Sequence, residues 1–165
     1  MTTALLQTDT PLDVELNEAI RSIASALWPN GIIVSDDAPG TYDELKALLD
    51  TGHRPIVYSG GSKHTIYADP QVNYCLRAWH DYCHWQGQLP FTYEGEVLAC
   101  SMQCHQLREK YGDNERTTRW CRILEAEIIG QAEYFRWHKR FPNDQRGFVE
   151  AYLRDRTSAL LWSLF

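Results

Sequence analysis

Trp79-His80-Asp81-Tyr82-Cys83-His84-Trp85 is the stretch on which the reading of this chain turns. Ten residues upstream, Asp69-Pro70 sets a helix start, with an N-capping carboxylate and a proline at the first helical position. The helix is predicted to run to about Gln86. His80 and His84 stand four apart on it, so both imidazoles lie on one face, one turn apart, within reach of a single ion. The same face continues through Leu76 and Val72, which makes it the buried side, where an unpartnered imidazole would be costly. Two hydrogen-bonded core histidines would also satisfy that cost, but the ligand spacing favours a metal site.

The residues just downstream supply a third ligand. Gly87 to Phe91 reads as a turn, and Thr92 caps a helix to about Tyr111. Helices joined by so short a connection pack antiparallel, which places the start of the second beside the end of the first. Glu94 and Glu96 are therefore candidates, with Glu96 preferred because it lies further into the helix. Their ordinary role would be to offset the helix dipole. Glu127 is a weaker candidate. It shares a face with Gln131 and His138 on a long helix predicted from Asn114 to about Arg140, and could ligate the metal or orient a ligand histidine.

Working outward, residues 1–10 read as a loose terminus. A helix is predicted over Pro11–Trp28, stopped by Pro29-Asn30-Gly31, and Ile32-Ile33-Val34 is a short strand. Thr41 and Glu44 form a capping box for a helix to about Asp50. Ile56-Val57-Tyr58 and Thr65-Ile66-Tyr67 are β-rich runs around Ser59-Gly60-Gly61-Ser62-Lys63, the signature of a hairpin. A last helix is expected over about 143–155. The sum is a mostly helical α+β chain: a small β-hairpin or sheet, then the metal-binding helix and three further helices. Residues 1–165 read as a single domain, with 55–110 the core of the metal site and 114–156 the C-terminal helices.

Composition narrows the function. In 165 residues, 44% are apolar and 23% charged, which fits a globular domain rather than a disordered chain. The excess of 22 acidic over 16 basic residues argues against a general nucleic-acid or anionic-membrane binder. Five cysteines with no Cys-x-x-Cys pair point to reduced, mostly buried thiols instead of a disulfide framework. Cys100 and Cys104, next to His105, could hold a soft metal with Cys83, but are better read as lining the inner face of their helix. No signal peptide or membrane-length apolar run is seen, so a cytoplasmic protein is expected.

A hairpin whose second strand feeds a helix with two histidines at i, i+4, and then a helix bringing a glutamate, resembles the minimal core of the zincins, specifically small gluzincin-type metallopeptidases. Their His-Glu-x-x-His motif reads here His80-Asp81-Tyr82-Cys83-His84. The resemblance implies zinc held by His80, His84 and Glu96. It also implies Asp81 as the catalytic general base, and Thr65-Ile66-Tyr67 as an edge strand holding an extended peptide or other carbonyl substrate. Two departures stand out. Asp81 is one methylene shorter than the usual Glu, and Glu96 comes soon after His84 for the family.

Other readings compete. The ligand set also suits a mononuclear non-haem iron enzyme. His80-Asp81 is an HD doublet, but an HD-type phosphohydrolase would need His53 or His64 and a distal acid such as Asp113, all poorly placed. A non-catalytic inhibitor or adaptor, with a structural metal or none, fits the 12% aromatic content and the apolar tail Leu160–Phe165. A peptide or protein ligand, or self-association as a homo-oligomer, is compatible with this composition.

Overall fold

The computed structural model describes residues 10–161; residues 1–9, within the stretch expected to be a loose terminus, and residues 162–165 of the apolar tail lie outside the described residues. The chain runs α1 (Val14–Leu27), β1 (Ile33–Ser35), α2 (Tyr42–Asp50), β2 (Ile56–Tyr58), α3 (Pro70–Gly87), α4 (Tyr93–Tyr111) and α5 (Glu115–Glu125). A π-helical turn (Ala126–Gly130), α6 (Gln131–His138), α7 (Gln145–Arg154) and α8 (Arg156–Leu160) come after it. The mostly helical α+β class read from the sequence holds.

Apart from the π turn and α6, which follow on directly from α5, each helix starts at a capping side chain. Asp13 accepts from Leu16 N, Thr41 and Glu44 close the expected capping box, and Asp69 accepts from Gln71 N ahead of Pro70. Thr92 accepts from Gly95 N and Asn114 from Thr117 N. The core gathers Leu16 and Ile20 of α1, Val72 and Trp79 of α3, Leu107 of α4, Trp120 and Leu124 of α5, and Phe148 of α7, all nearly or fully buried. Burying large apolar and aromatic side chains is the main stabilising term in a domain of this size.

The hairpin is a correction. Ile56–Tyr58 is a strand, but it pairs in parallel with Ile33–Ser35, with Val34 opposite Val57. Thr65-Ile66-Tyr67 is not a strand; it is a buried turn. The reason lies in where its carbonyls go. Thr65 O accepts from Arg146 Nη1 (3.2 Å), Ile66 O from Leu12 N (2.8 Å) and Tyr67 O from Asn17 Nδ2 (2.9 Å). Ala68 N donates to Thr65 O, and Ala68 takes a left-handed φ of 54° that closes the turn. These groups are satisfied by α1, the residue preceding its cap, and α7, so none is left for a strand partner. The remainder of the 59–68 segment is tied to α3 through Tyr74, Arg77 and Asn73.

The long helix predicted from Asn114 to Arg140 is also interrupted. The π turn at Ala126–Gly130 inserts one residue between α5 and α6. A Cβ on Gly130 would sit 3.1 Å from the Tyr152 ring, so the absence of a side chain there lets α7 pack against the turn. The helix expected over 143–155 appears as α7, and a further short helix that was not expected, α8, follows it, capped by the Asp155 carboxylate.

Candidate metal centre

α3 and α4 are joined by residues 88–92. Gln88 ends α3 in the left-handed conformation (φ 53°), and Leu89 N returns to His84 O at 2.9 Å. The turn closes only because position 95 lacks a side chain: a Cβ there would meet Pro90 O at 1.9 Å. The first turn of α4 is thereby laid against the last turns of α3, and Glu96 arrives opposite the two histidines.

The three side chains converge. His80 Nε2 lies 2.7 Å from Glu96 Oε2, His84 Nε2 lies 3.3 Å from Glu96 Oε1, and the two histidine Nε2 atoms are 3.0 Å apart. All three ligand atoms fall within 4.8 Å of one another, and among the described residues no other such group of His, Cys, Asp or Glu occurs. His84 is fully buried, while the His80 and Glu96 side chains keep 17% and 25% exposure, so the cluster is open on one side. Phe91 packs edge-on to the His84 ring at 4.9 Å.

The far nitrogens are also held. His84 Nδ1 is 2.8 Å from Leu89 O, and His80 Nδ1 is 3.0 Å from Gln103 Oε1. A backbone carbonyl only accepts, so His84 donates through Nδ1 and directs the lone pair of its neutral ring from Nε2 toward the cluster. This is the outer support that metal-bound histidines carry. Sequence reasoning missed both partners. Gln103 was legible in principle, since it lies seven residues after Glu96 on the same face of α4; the Leu89 carbonyl left no trace in residue types.

Electrostatics support the geometry. Burial raises the Glu96 carboxyl, but hydrogen bonds to His80 and His84 overcome it and hold the group at about 2. Burial opposes charge on His80, yet the Glu96 carboxylate raises its pKa above the ordinary value. In the absence of a cation the cluster is thus a proton-sharing ion pair. Asp81 is pushed to about 6 by burial, against the pull of His80, His84 and Arg77.

The remaining sequence candidates stand apart. Glu94 is exposed on the first turn of α4. Glu127 is buried in the π turn and lies outside the cluster; burial pushes it to about 7, with Gln131 and Arg77 opposing. His53 is exposed, His64 pairs with Asp144 at 3.3 Å, and Asp113 pairs with Arg108 on the surface, so the HD set is not assembled. Cys83, Cys100, Cys104 and Cys121 are buried free thiols, and exposed His105 pairs with Glu109. No helix among the described residues is long and apolar enough to cross a membrane. No family model, curated protein or solved structure matches the chain.

Proposed function

We propose that the protein binds one divalent metal ion through His80, His84 and Glu96 and uses it as a zincin-like hydrolase, with zinc the best fit to two imidazoles and one carboxylate. The observation that carries this reading is the meeting of two Nε2 atoms and a carboxylate at hydrogen-bond distances, with the Nδ1 atom of each ring held from behind. Three protein ligands and an open side leave a coordination position for water or substrate. Bound zinc would supply Lewis acidity and a more acidic water. Asp81, adjacent to His80 and in the field of both histidines, is the residue proposed to accept that water's proton. The substrate would be a peptide or another carbonyl compound. With residues 65–67 folded as a turn, it is held by side chains around the open face.

A second reading, a non-catalytic binding protein with a structural metal, draws on the surface. Trp137 is 75% exposed and Phe141 56%, beside Phe135 and among Arg136, Lys139 and Arg140. Exposed aromatics of this kind mark protein contacts. One experiment separates the readings. Untagged protein, its His80→Ala and His84→Ala variants, and Asp81→Asn are compared for metal content, melting temperature and hydrolysis of a peptide library. One equivalent in the parent and far less in both histidine variants supports the centre; equal content in all sinks it. Hydrolysis by the parent that is lost in metal-loaded Asp81→Asn supports the enzyme. No hydrolysis by the loaded parent leaves the binding protein.

A further inference from the structure

Two stretches of the surface carry charge of one sign each. From Tyr134 to Asn143 the chain has no Asp or Glu, while Arg136, Lys139 and Arg140 are all exposed at the end of α6 and in the turn after it. None of the three forms an ion pair among the described residues; instead Arg136 and Arg140 stand over the Tyr93 and Tyr134 rings, at 5.1 and 5.8 Å, and Lys139 Nζ donates to Arg136 O. The flanking acids are already engaged, Glu133 by Arg156 and Asp144 by His64 and Gly147 N. Trp137 is exposed beside Arg136, and the exposed rings of Phe135 and Phe141 lie 5.0 Å apart.

The opposite pattern holds from Gly31 to Leu45, which contains no Lys or Arg. Asp36, Asp37, Asp43 and Glu44 are exposed there, and none of them pairs with a cation among the described residues. Asp36 accepts only from Ser59 Oγ, and Glu44 from Gly40 N and Thr41 N, so neutral donors leave their charges standing. Lys46, next in sequence, is taken by Asp50. Arg77 lies under the Tyr58 ring, half-buried, with its Nη1 spent on the carbonyls of Tyr58 and Gly60. Apolar surface accompanies these acids too: Tyr58 is 54% and Val34 40% exposed.

A single unpaired surface charge is ordinarily just solvated. Segregation into two patches of opposite sign, each with exposed apolar side chains, asks for a partner. Elsewhere on the chain opposite charges interleave and meet, as Arg146 with Glu150 and Arg119 with Asp13. No hydrogen bond or ion pair joins the two patches within one molecule among the described residues, so each still lacks what the other offers. A second copy of the chain carries the missing half. We propose that the protein self-associates, the Arg136–Phe141 corner of one copy seating on the Asp36–Glu44 face of another, with Trp137 and Arg140 as the central anchors; Trp and Arg are the residues that dominate such contacts. Where the two patches face one side, a two-fold pair satisfies both contacts; where they face apart, copies add head to tail. The inference depends on neither the metal nor the hydrolase.

The test is sedimentation velocity of the untagged full chain, with a chelator present so that metal bridges play no part. A concentration series is run at about 0.1 M and about 1 M salt, where the screening length falls from about 10 to about 3 Å. The parent should associate at the lower salt and dissociate toward monomer at the higher. Lys139→Glu with Arg140→Glu, which reverses the basic corner, should be monomeric. So should Asp37→Lys with Asp43→Lys, which reverses the acidic face. Mixing the two reversed proteins should restore association, because the intact face of one meets the intact corner of the other. Trp137→Ser should weaken the parent contact about 30-fold, as loss of a central anchor does. A parent that stays monomeric at every concentration overturns the proposal. So does association that both reversals leave unchanged, or a mixture of the reversed proteins that stays monomeric. If a reversed protein fails to fold, Trp137→Ser decides, and association within twofold of the parent overturns the contact.

Discussion

Gly95→Ala tests how the α3–α4 turn builds the site. The added Cβ would lie 1.9 Å from Pro90 O and 3.0 Å from Pro90 C. Carbon and carbonyl oxygen settle at roughly 3.3 Å or more, so the two segments must part by about 1.4 Å. The obstacle is backbone, and the same carbonyl accepts from Thr92 N at 2.9 Å, so the turn itself must open. Overpacking of this kind costs roughly 1–3 kcal/mol, and the better helix propensity of Ala returns up to about 1 kcal/mol. The net loss should lower the melting temperature by about 2–8 °C for a chain of this length.

The larger effect falls on the next residue. Glu96 sits 2.7 and 3.3 Å from the histidine nitrogens, and metal distances tolerate only about 0.2 Å. Zinc affinity should therefore drop at least about 10–100-fold, out of proportion to the loss of stability. The assay is a thermal melt beside a zinc competition titration. A Gly95→Ala protein that melts at or above the parent temperature and binds zinc equally well would refute this role for the turn.

Two further expectations concern pH in the metal-free protein. The Glu96 pair should contribute fully above about 4.5 and below about 6.5, the ordinary values of its two partners, and be lost as pH falls toward about 2 or rises through the raised pKa of His80. Denaturation at several pH values should show this dependence flattened in Glu96→Gln; identical profiles would contradict the ion pair. Glu127 works in the opposite sense. Its pKa is raised from 4.5 to about 7, so its burial costs stability as pH climbs through that interval. Glu127→Gln should be the more stable protein at pH 8, by up to about 3 kcal/mol, and nearly neutral at pH 4. A variant no more stable than the parent at pH 8 would show that Glu127 is satisfied as a carboxylate.

Legibility in the sequence tracks the range of the forces involved. The histidine pair was legible because helical spacing is a local property, and Asp69-Pro70 announces the helix. Glu96 was legible one step further out, since a short connection forces antiparallel neighbours. Thr65-Ile66-Tyr67 misled because β-branched and aromatic residues beside Gly60-Gly61 favour strand locally, whereas its carbonyls are claimed by residues of the α1 and α7 regions, distant in sequence. The parallel pairing of β2 with β1 was hidden for the same reason, since the helix between them sets it. The π turn was invisible because one inserted residue shifts the helical period by less than the scatter of apolar positions around it.

The turn at 65–67 has a consequence for how the chain reaches its native state. Its anchors come from Asn17, 50 residues before Tyr67, and from Arg146, 81 residues after Thr65. Beyond the local bonds of Ala68 N to Thr65 O and Tyr67 N to Thr65 Oγ1, its anchors are distant in sequence, so the closure entropy of those long loops must be met before they form. The segment should be unstructured in the folding transition state and lock only once both chain ends have come together. Substitutions at Asn17 or Arg146 would then speed unfolding while leaving the folding rate nearly unchanged.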